Sequence, residues 1–407
     1  MANVYENAFL TIAAASSENG GGGLFQTCGD NRIISGEYKG KPYTLRTVER
    51  IHHSYFKSLV MRSDFPLTGR GWTFQEQLLS PRVVYFTYQE LIWECRNGCK
   101  CECRSLVDGD HSSYSGPEFR RLLYGPHPSD KTSQETETSW SGLIDAYTAR
   151  KLTYDYDLLP AISSLASRWG KLRQKGRYLA GLWERELPIC LMWRVNPGYP
   201  SRRCEVRAKI PPSCSPTWSW ASRIGGEISI WTPEHPEYSL DTVSRVQIIL
   251  AETSLSTFDP HGLVSGGRLV IRGCLLSVRP GSCDHDLILT HARCLHILPK
   301  YEEGSREIET ATISAFWDTD DLQKEAQDGH DDLLESIRFL IVMEVEHPDH
   351  THGKEISLNY LGLVLRCVDR EASGDDFPVF TREGSGYVTT ELPFEHFERF
   401  TETLTII

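Results

Sequence analysis

The sequence has no run of about 18 apolar residues, the length a membrane-crossing helix needs. No membrane span is therefore expected, and the strongest apolar cluster, Phe339 to Met343, has only strand length. Positive charge is in deficit: 43 Lys and Arg stand against 55 Asp and Glu, a formal charge of −12. Nucleic-acid binding needs a basic footprint, so no nucleic-acid partner is expected. Cysteine is too sparse for a disulfide scaffold, with twelve in 407 residues, four of them between Cys95 and Cys103. The apolar stretch Phe9 to Ala15 lacks a preceding Lys or Arg and follows Glu6, the wrong sign for a secretory signal. We read the chain as cytoplasmic, with reduced thiols. Gly-x-Ser-x-Gly, His-Glu-x-x-His and kinase signatures are missing, as is any internal repeat.

What is present divides into three regions by composition. Within residues 1–104, Val4 to Ala15 reads as either a strand or a buried helix, and Asn19 to Gly23 breaks the pattern. Trp72, Gln75, Glu76 and Leu79 share one face of a short helix that stops at Pro81. Val83 to Phe86 and Leu91 to Trp93 read as strands around the loop Thr87 to Glu90. Residues 105–215 hold a linker and a helical segment. Positions 105–138 are rich in Ser, Gly, Pro, Asp and Thr and read as a loop. Trp140, Leu143, Ile144 and Tyr147 then line one helical stripe, and Leu158, Ile162, Leu165, Ala166 and Trp169 line another ending at Gly170. A third helix is expected to carry Tyr178, Leu182 and Trp183 and to end before Pro188. Pro197, Pro200, Pro211, Pro212 and Pro216 mark a connector. Residues 216–407 read as a β-rich sandwich or barrel, with strands at Trp218-Ser219-Trp220, Arg268 to Arg272, Arg338 to Glu346 and Tyr360 to Val368. The acidic stretch Asp318 to Asp332 reads as a loop with one helical turn.

Three ordered segments resemble fungal heterokaryon incompatibility (HET) domain proteins. The first is Val4-Tyr5-Glu6-Asn7-Ala8-Phe9-Leu10-Thr11-Ile12-Ala13-Ala14, followed by Gly23-Leu24-Phe25. The second runs from Arg70-Gly71-Trp72-Thr73-Phe74-Gln75-Glu76-Gln77 to Pro81-Arg82, then Leu91-Ile92-Trp93-Glu94-Cys95. The third comprises Tyr147 to Thr153, Asp157, Ala161-Ile162, Tyr178 to Trp183 and Pro216-Thr217-Trp218-Ser219-Trp220-Ala221. The resemblance covers about residues 1–225. It implies a truncated, TIR-like α/β unit followed by a helical segment and a β-rich domain. It also implies a role in nonself recognition and regulated cell death through self-association or a protein partner. HET domains ordinarily begin well upstream of the first segment, so the chain is expected to lack the N-terminal half and to expose an apolar patch beside Val4 to Ile12.

The same resemblance singles out Glu76. In related NAD-cleaving TIR domains a catalytic Glu lies in a similar Trp-x-x-x-Glu context, where a carboxylate can hold a ribose hydroxyl and stabilise oxocarbenium-like charge. It implies Arg70, Trp72 and Gln75 as binding residues, and NAD as a ligand only once the site is completed. The competing reading makes Glu76 a structural carboxylate paired with Arg70 or Arg82. No cofactor and no metal are expected. Cys95, Cys99, Cys101 and Cys103 give C-x3-C-x-C-x-C without a second knuckle, and read as thiols at a strand end and turn. His347, His350 and His352 with Asp349 read as a solvated loop. Gly20 to Gly23 lacks a following Lys-Ser or Lys-Thr and reads as a turn rather than a phosphate cradle. Trp183, Trp193, Trp218 and Trp220 read as buried packing rather than a stacking platform.

Overall fold

A computed structural model of the chain describes residues 2–25, 32–47, 53, 65–104, 116–124, 140–196, 208–209, 215–224, 227–230, 242–280, 292–297, 312–318, 336–347, 357–368, 377–390 and 393–407. The fold is mixed α/β and strand-rich, with few helices. It forms two compact units, Met1–Thr153 and Tyr154–Ile407. The division falls at neither of the expected boundaries, 104/105 and 215/216. The helix bearing the Trp140 stripe packs within the first unit, whereas the next helix belongs to the second.

In the first unit the ambiguous segment Val4 to Ala15 splits into a helix, α1 (Ala2–Glu6), and a strand, β1 (Thr11–Ala14). A hairpin follows, β2 (Arg32–Tyr38) and β3 (Lys41–Thr47), turning through Lys39 and Gly40. Both turn residues have positive φ, which matches the right-handed strand twist. Helix α2 (Gly71–Leu79) buries Phe74, Gln75, Gln77, Leu78 and Leu79. It lies in the crossover that parallel pairing of β1 with β4 (Arg82–Phe86) requires. β5 (Leu91–Cys95) and β6 (Gly98–Cys101) extend the sheet antiparallel, giving the order β1-β4-β5-β6.

Strand alternation puts Val83, Tyr85, Ile92 and also Glu94 on the buried face. A carboxylate there needs partners, and they come from a region read as loop. Residues 116–124 form a helix, α3 (Gly116–Tyr124), with Pro117 at its start and Phe119, Arg120 and Leu123 buried. The Arg120 guanidinium lies 2.7 Å from the Glu94 carboxylate. Tyr85 Oη and Gln77 Nε2 donate to the same carboxylate at 2.5 and 3.0 Å. Arg120 also donates to the Ser80 and Gln77 carbonyls at 3.1 and 2.7 Å. Burial works against the Arg120 charge, but Glu94, Tyr85 and Cys99 together outweigh it and the pKa is raised. Helix α4 (Trp140–Thr148) buries the predicted stripe of Trp140, Leu143, Ile144 and Tyr147.

The second unit opens with α5 (Ser163–Arg173), which runs past Gly170 and ends at Gln174 in the left-handed region. Gly170 is a packing residue instead: a Cβ there would meet the Trp183 ring at 2.4 Å. The expected third helix is absent. Tyr178, Leu182 and Trp183 lie on a hairpin, β7 (Tyr178–Leu179) and β8 (Leu182–Trp183). Its turn, Ala180-Gly181, has φ values of 47° and 101° that no helix permits. β9 (Trp193–Asn196) follows, then β10 (Ala208–Lys209). Trp218 and Trp220 lie in a turn and a short 3-10 helix, not a strand. Trp220 Nε1 donates to the Gly181 carbonyl at 3.0 Å, and Trp193 Nε1 to that of Trp218 at 2.9 Å. Short strands β11 (Arg223–Ile224), β12 (Glu227–Ile230) and β13 (Thr242–Ser244) lead into β14 (Val246–Leu255).

A barrel then closes. β15 (Val264–Pro280) is followed by β16 (Ala292–Ile297), β17 (Thr312–Trp317), β18 (Ile337–His347), β19 (Ser357–Val368), β20 (Val379–Thr390) and β21 (Thr401–Ile406). Pairing runs β15-β16-β17-β20-β19-β18 and returns to β15 through Leu275–Ser277 against Arg338–Leu340. Alternate residues fill the interior: Cys274, Leu276 and Val278, then Ile337, Phe339 and Ile341, with Tyr360, Val388, Phe394 and Phe397. Of the acidic loop only Asp318 lies within the described residues, buried against Arg382 at 3.1 Å.

Candidate functional site

Helix α2 and the β1–β4 pair frame a cleft of about 370 Å³. Its floor is Thr11 to Ala14, Val83 and Tyr85. Its walls are Tyr5 of α1, Leu67 to Arg70 before α2, and Thr73, Glu76 and Gln77 along it. Ser17 to Gly20 close the end beyond β1. The crevice past the carboxyl ends of parallel strands is where open α/β sheets usually hold ligands. Asn19 Oδ1 accepts the Gly21 N–H at 2.9 Å and ties the loop into a turn.

Glu76 is half-buried on the cleft wall. Neither Arg70 nor Arg82 forms an ion pair with it among the described residues, which corrects the structural pairing considered above. Arg82 instead donates to the Phe9 carbonyl at 3.3 Å and lies 5.1 Å over the Phe9 ring. The partner of Glu76 is Tyr5, whose hydroxyl donates to the carboxylate; burial, then the Glu76 charge, raises the Tyr5 pKa to about 12. A sequence pattern within α2 cannot reveal Tyr5, because the contact spans separate elements. Glu76 also lies beyond the first turn of α2, where the helix dipole adds little.

The four residues singled out in sequence separate. Arg70 and Glu76 line the cleft; Trp72 and Gln75 do not. Gln75 is buried, so no ligand in the cleft reaches it. Sequence reasoning missed Thr73 and Gln77. Thr73 Oγ1 donates to the Leu67 and Arg70 carbonyls at 2.9 and 2.7 Å, fixing the entry to α2. Gln77 Oε1 accepts from Arg150 at 3.3 Å. Two carboxylates, Glu18 and Glu76, with two tyrosines and the exposed Arg70 guanidinium around a small cleft suit a polyhydroxylated organic ligand.

No family model, no curated protein and no solved structure matches this chain. Among the described residues no helix is long and apolar enough to cross a membrane.

Proposed function

We propose that the chain is a HET-type interaction and signalling module that self-associates in fungal nonself recognition and regulated cell death. The observation that carries this reading is the β2–β3 hairpin. Cross-strand register puts Ile34, Tyr38, Tyr43 and Leu45 on one face, and all four are exposed. A two-stranded hairpin is marginal in water, and an uncovered apolar face marks an interface. Other apolar side chains of the first unit are also exposed: Phe9 is 82% exposed, Ile12 57% and Phe25 84%. The order of the three HET-like segments supports the family assignment.

The test combines light scattering on the full chain with growth of a filamentous fungus expressing it. The expected result is a dimer or larger assembly and impaired growth, both lost in Ile34→Glu/Leu45→Glu. A monomer at high concentration together with normal growth overturns the proposal.

A second reading has one observation of its own. Glu76 faces a cleft with no arginine partner among the described residues, as a TIR-related NAD-cleaving hydrolase would require of its carboxylate. Completing the site needs groups from more than one loop, so this chain alone is expected to turn NAD over negligibly. NAD consumption abolished by Glu76→Gln would favour this reading.

A further inference from the structure

Away from the cleft, the β5–β6 hairpin gathers a set of side chains not used above. Register pairs Ile92 with Cys101, so Glu90, just before β5, lies beside Cys101 to Cys103 at the end of β6. His53 meets them there. His53 Nε2 is 2.7 Å from Glu90 Oε1 and 3.6 Å from Cys103 Sγ, and the Cys101 and Cys103 sulfurs are 3.3 Å apart. One ligand atom from each of the four residues falls within 4.8 Å of all the others.

We propose that His53, Glu90, Cys101 and Cys103 form a tetrahedral site for a zinc-class divalent cation. Zinc–ligand bonds of about 2.0–2.3 Å put neighbouring ligand atoms about 3.3–3.7 Å apart in a tetrahedron. The two contacts made by Cys103 already fall in that range. The His53–Glu90 hydrogen bond opens by about half an ångström to admit the ion. Two thiolates, an imidazole and a carboxylate are the donor types this metal takes, and a set this rich in sulfur disfavours magnesium and calcium. The two thiols release their protons to solvent on binding, and His53 binds through neutral Nε2.

The ligands are held before any ion arrives. Thr87 Oγ1 accepts the N–H groups of Gln89 and Glu90 at 3.3 and 3.0 Å and donates to the Glu90 carbonyl at 2.6 Å. Glu90 Oε2 accepts the Cys103 N–H at 2.7 Å, leaving Oε1 for the metal. The Arg104 N–H donates to the Cys101 carbonyl at 3.1 Å, closing the C-x-C turn. Glu102 Oε2 accepts the Leu91 N–H at 2.9 Å, pinning that turn to the start of β5. Such outer contacts orient metal ligands. The side chains of His53 and Glu90 are 5% and 8% exposed, while Cys103 is exposed and provides the entry path. Four protein ligands fill the coordination sphere, so the ion is structural: it ties His53 to the β5–β6 hairpin. The sequence pattern C-x3-C-x-C-x-C pointed at four thiols, but only two converge. Cys99 shares a face of β6 with Cys101 but is buried further along the strand, opposite Glu94.

The test uses the full chain, reduced, stripped with a chelator and titrated with Co²⁺ and then Zn²⁺. The expected result is one ion per chain, with thiolate-to-cobalt charge transfer, tetrahedral d–d bands and displacement by Zn²⁺. Cys103→Ser, at an exposed position, is expected to weaken binding by at least the ~100-fold that loss of an outer-shell partner can cost. His53→Ala is expected to do the same, and Cys95→Ser to bind as the wild type does. No stoichiometric uptake by the reduced wild-type chain overturns the proposal. So does binding unchanged in Cys103→Ser, or binding lost in Cys95→Ser.

Discussion

At the scale of single residues, Arg120 shows how a side chain that looks like surface in the sequence becomes part of a core. It is fully buried and meets Glu94, whose position on the inward face of β5 follows from strand alternation alone. Removing one member of such a pair leaves the other charge buried and uncompensated, which costs about 3–5 kcal/mol. Arg120→Met is expected to lose stability in that range by denaturant unfolding. Arg120→Met/Glu94→Gln is expected to recover part of the loss, because the uncompensated charge is gone. Tyr5 makes a different residue-scale prediction. Its pKa is ordinarily near 10 and is about 12 in the folded chain. Between those values the unfolded chain gives up a proton that the folded chain keeps, so stability falls as pH rises. Tyr5→Phe is expected to flatten this part of the pH–stability curve. Glu76→Gln is expected to flatten it partly, because the carboxylate is a secondary cause of the shift after burial. An unchanged slope in both variants would refute the Tyr5–Glu76 contact.

At the scale of elements, the β7–β8 hairpin depends on its turn. Gly181 adopts φ 101°, and a Cβ on it would come within 2.5 Å of Trp220 Nε1, which is itself bonded to the Gly181 carbonyl. Backbone strain and overpacking therefore act together, and Gly181→Ala is expected to cost about 2 kcal/mol or more in thermal or chemical unfolding. Gly181→Ala/Trp220→Phe narrows the clash and separates the two contributions. Arg382 holds the same unit together from within the barrel wall. Its guanidinium lies 3.4 Å over the Trp193 ring, donates to the Leu191 and Trp193 carbonyls and meets Asp318; burial draws its pKa down to about 10.

At the scale of the whole molecule, each compact unit has its own buried apolar core. Such a unit can fold on its own. A polypeptide of residues 154–407 is expected to unfold cooperatively and to show blue-shifted tryptophan emission, because Trp183, Trp193, Trp218 and Trp220 are all fully buried within it. Red-shifted emission with no transition would show that the barrel needs the first unit. The C-terminus belongs to the same network: the Ile407 carbonyl accepts the Thr217 N–H at 3.0 Å. Removing the last strand, β21, is therefore expected to destabilise this polypeptide more than an ordinary trimming of a terminus.

Local patterns were legible wherever one element's own periodicity decides its conformation. The Trp140 stripe, the α2 helix with its stop at Pro81, the strands flanking Thr87 to Glu90 and the long strands after residue 260 all follow from spacing and side-chain shape. Arg70 and Glu76 belong to one local motif, and both line the cleft. What only the tertiary structure decided is which distant groups meet. Helix α3 hides in a polar segment because its central buried residue is an arginine answered by Glu94 from another strand. Tyr178 to Trp183 has helical spacing but is held as a hairpin by Gly181 against Trp220. Tyr5 reaches Glu76, and His53 reaches Cys103, across 50 residues of chain in the second case. Periodicity reports the environment of one element; a contact between elements depends on how the chain closes its loops, and no local pattern encodes that.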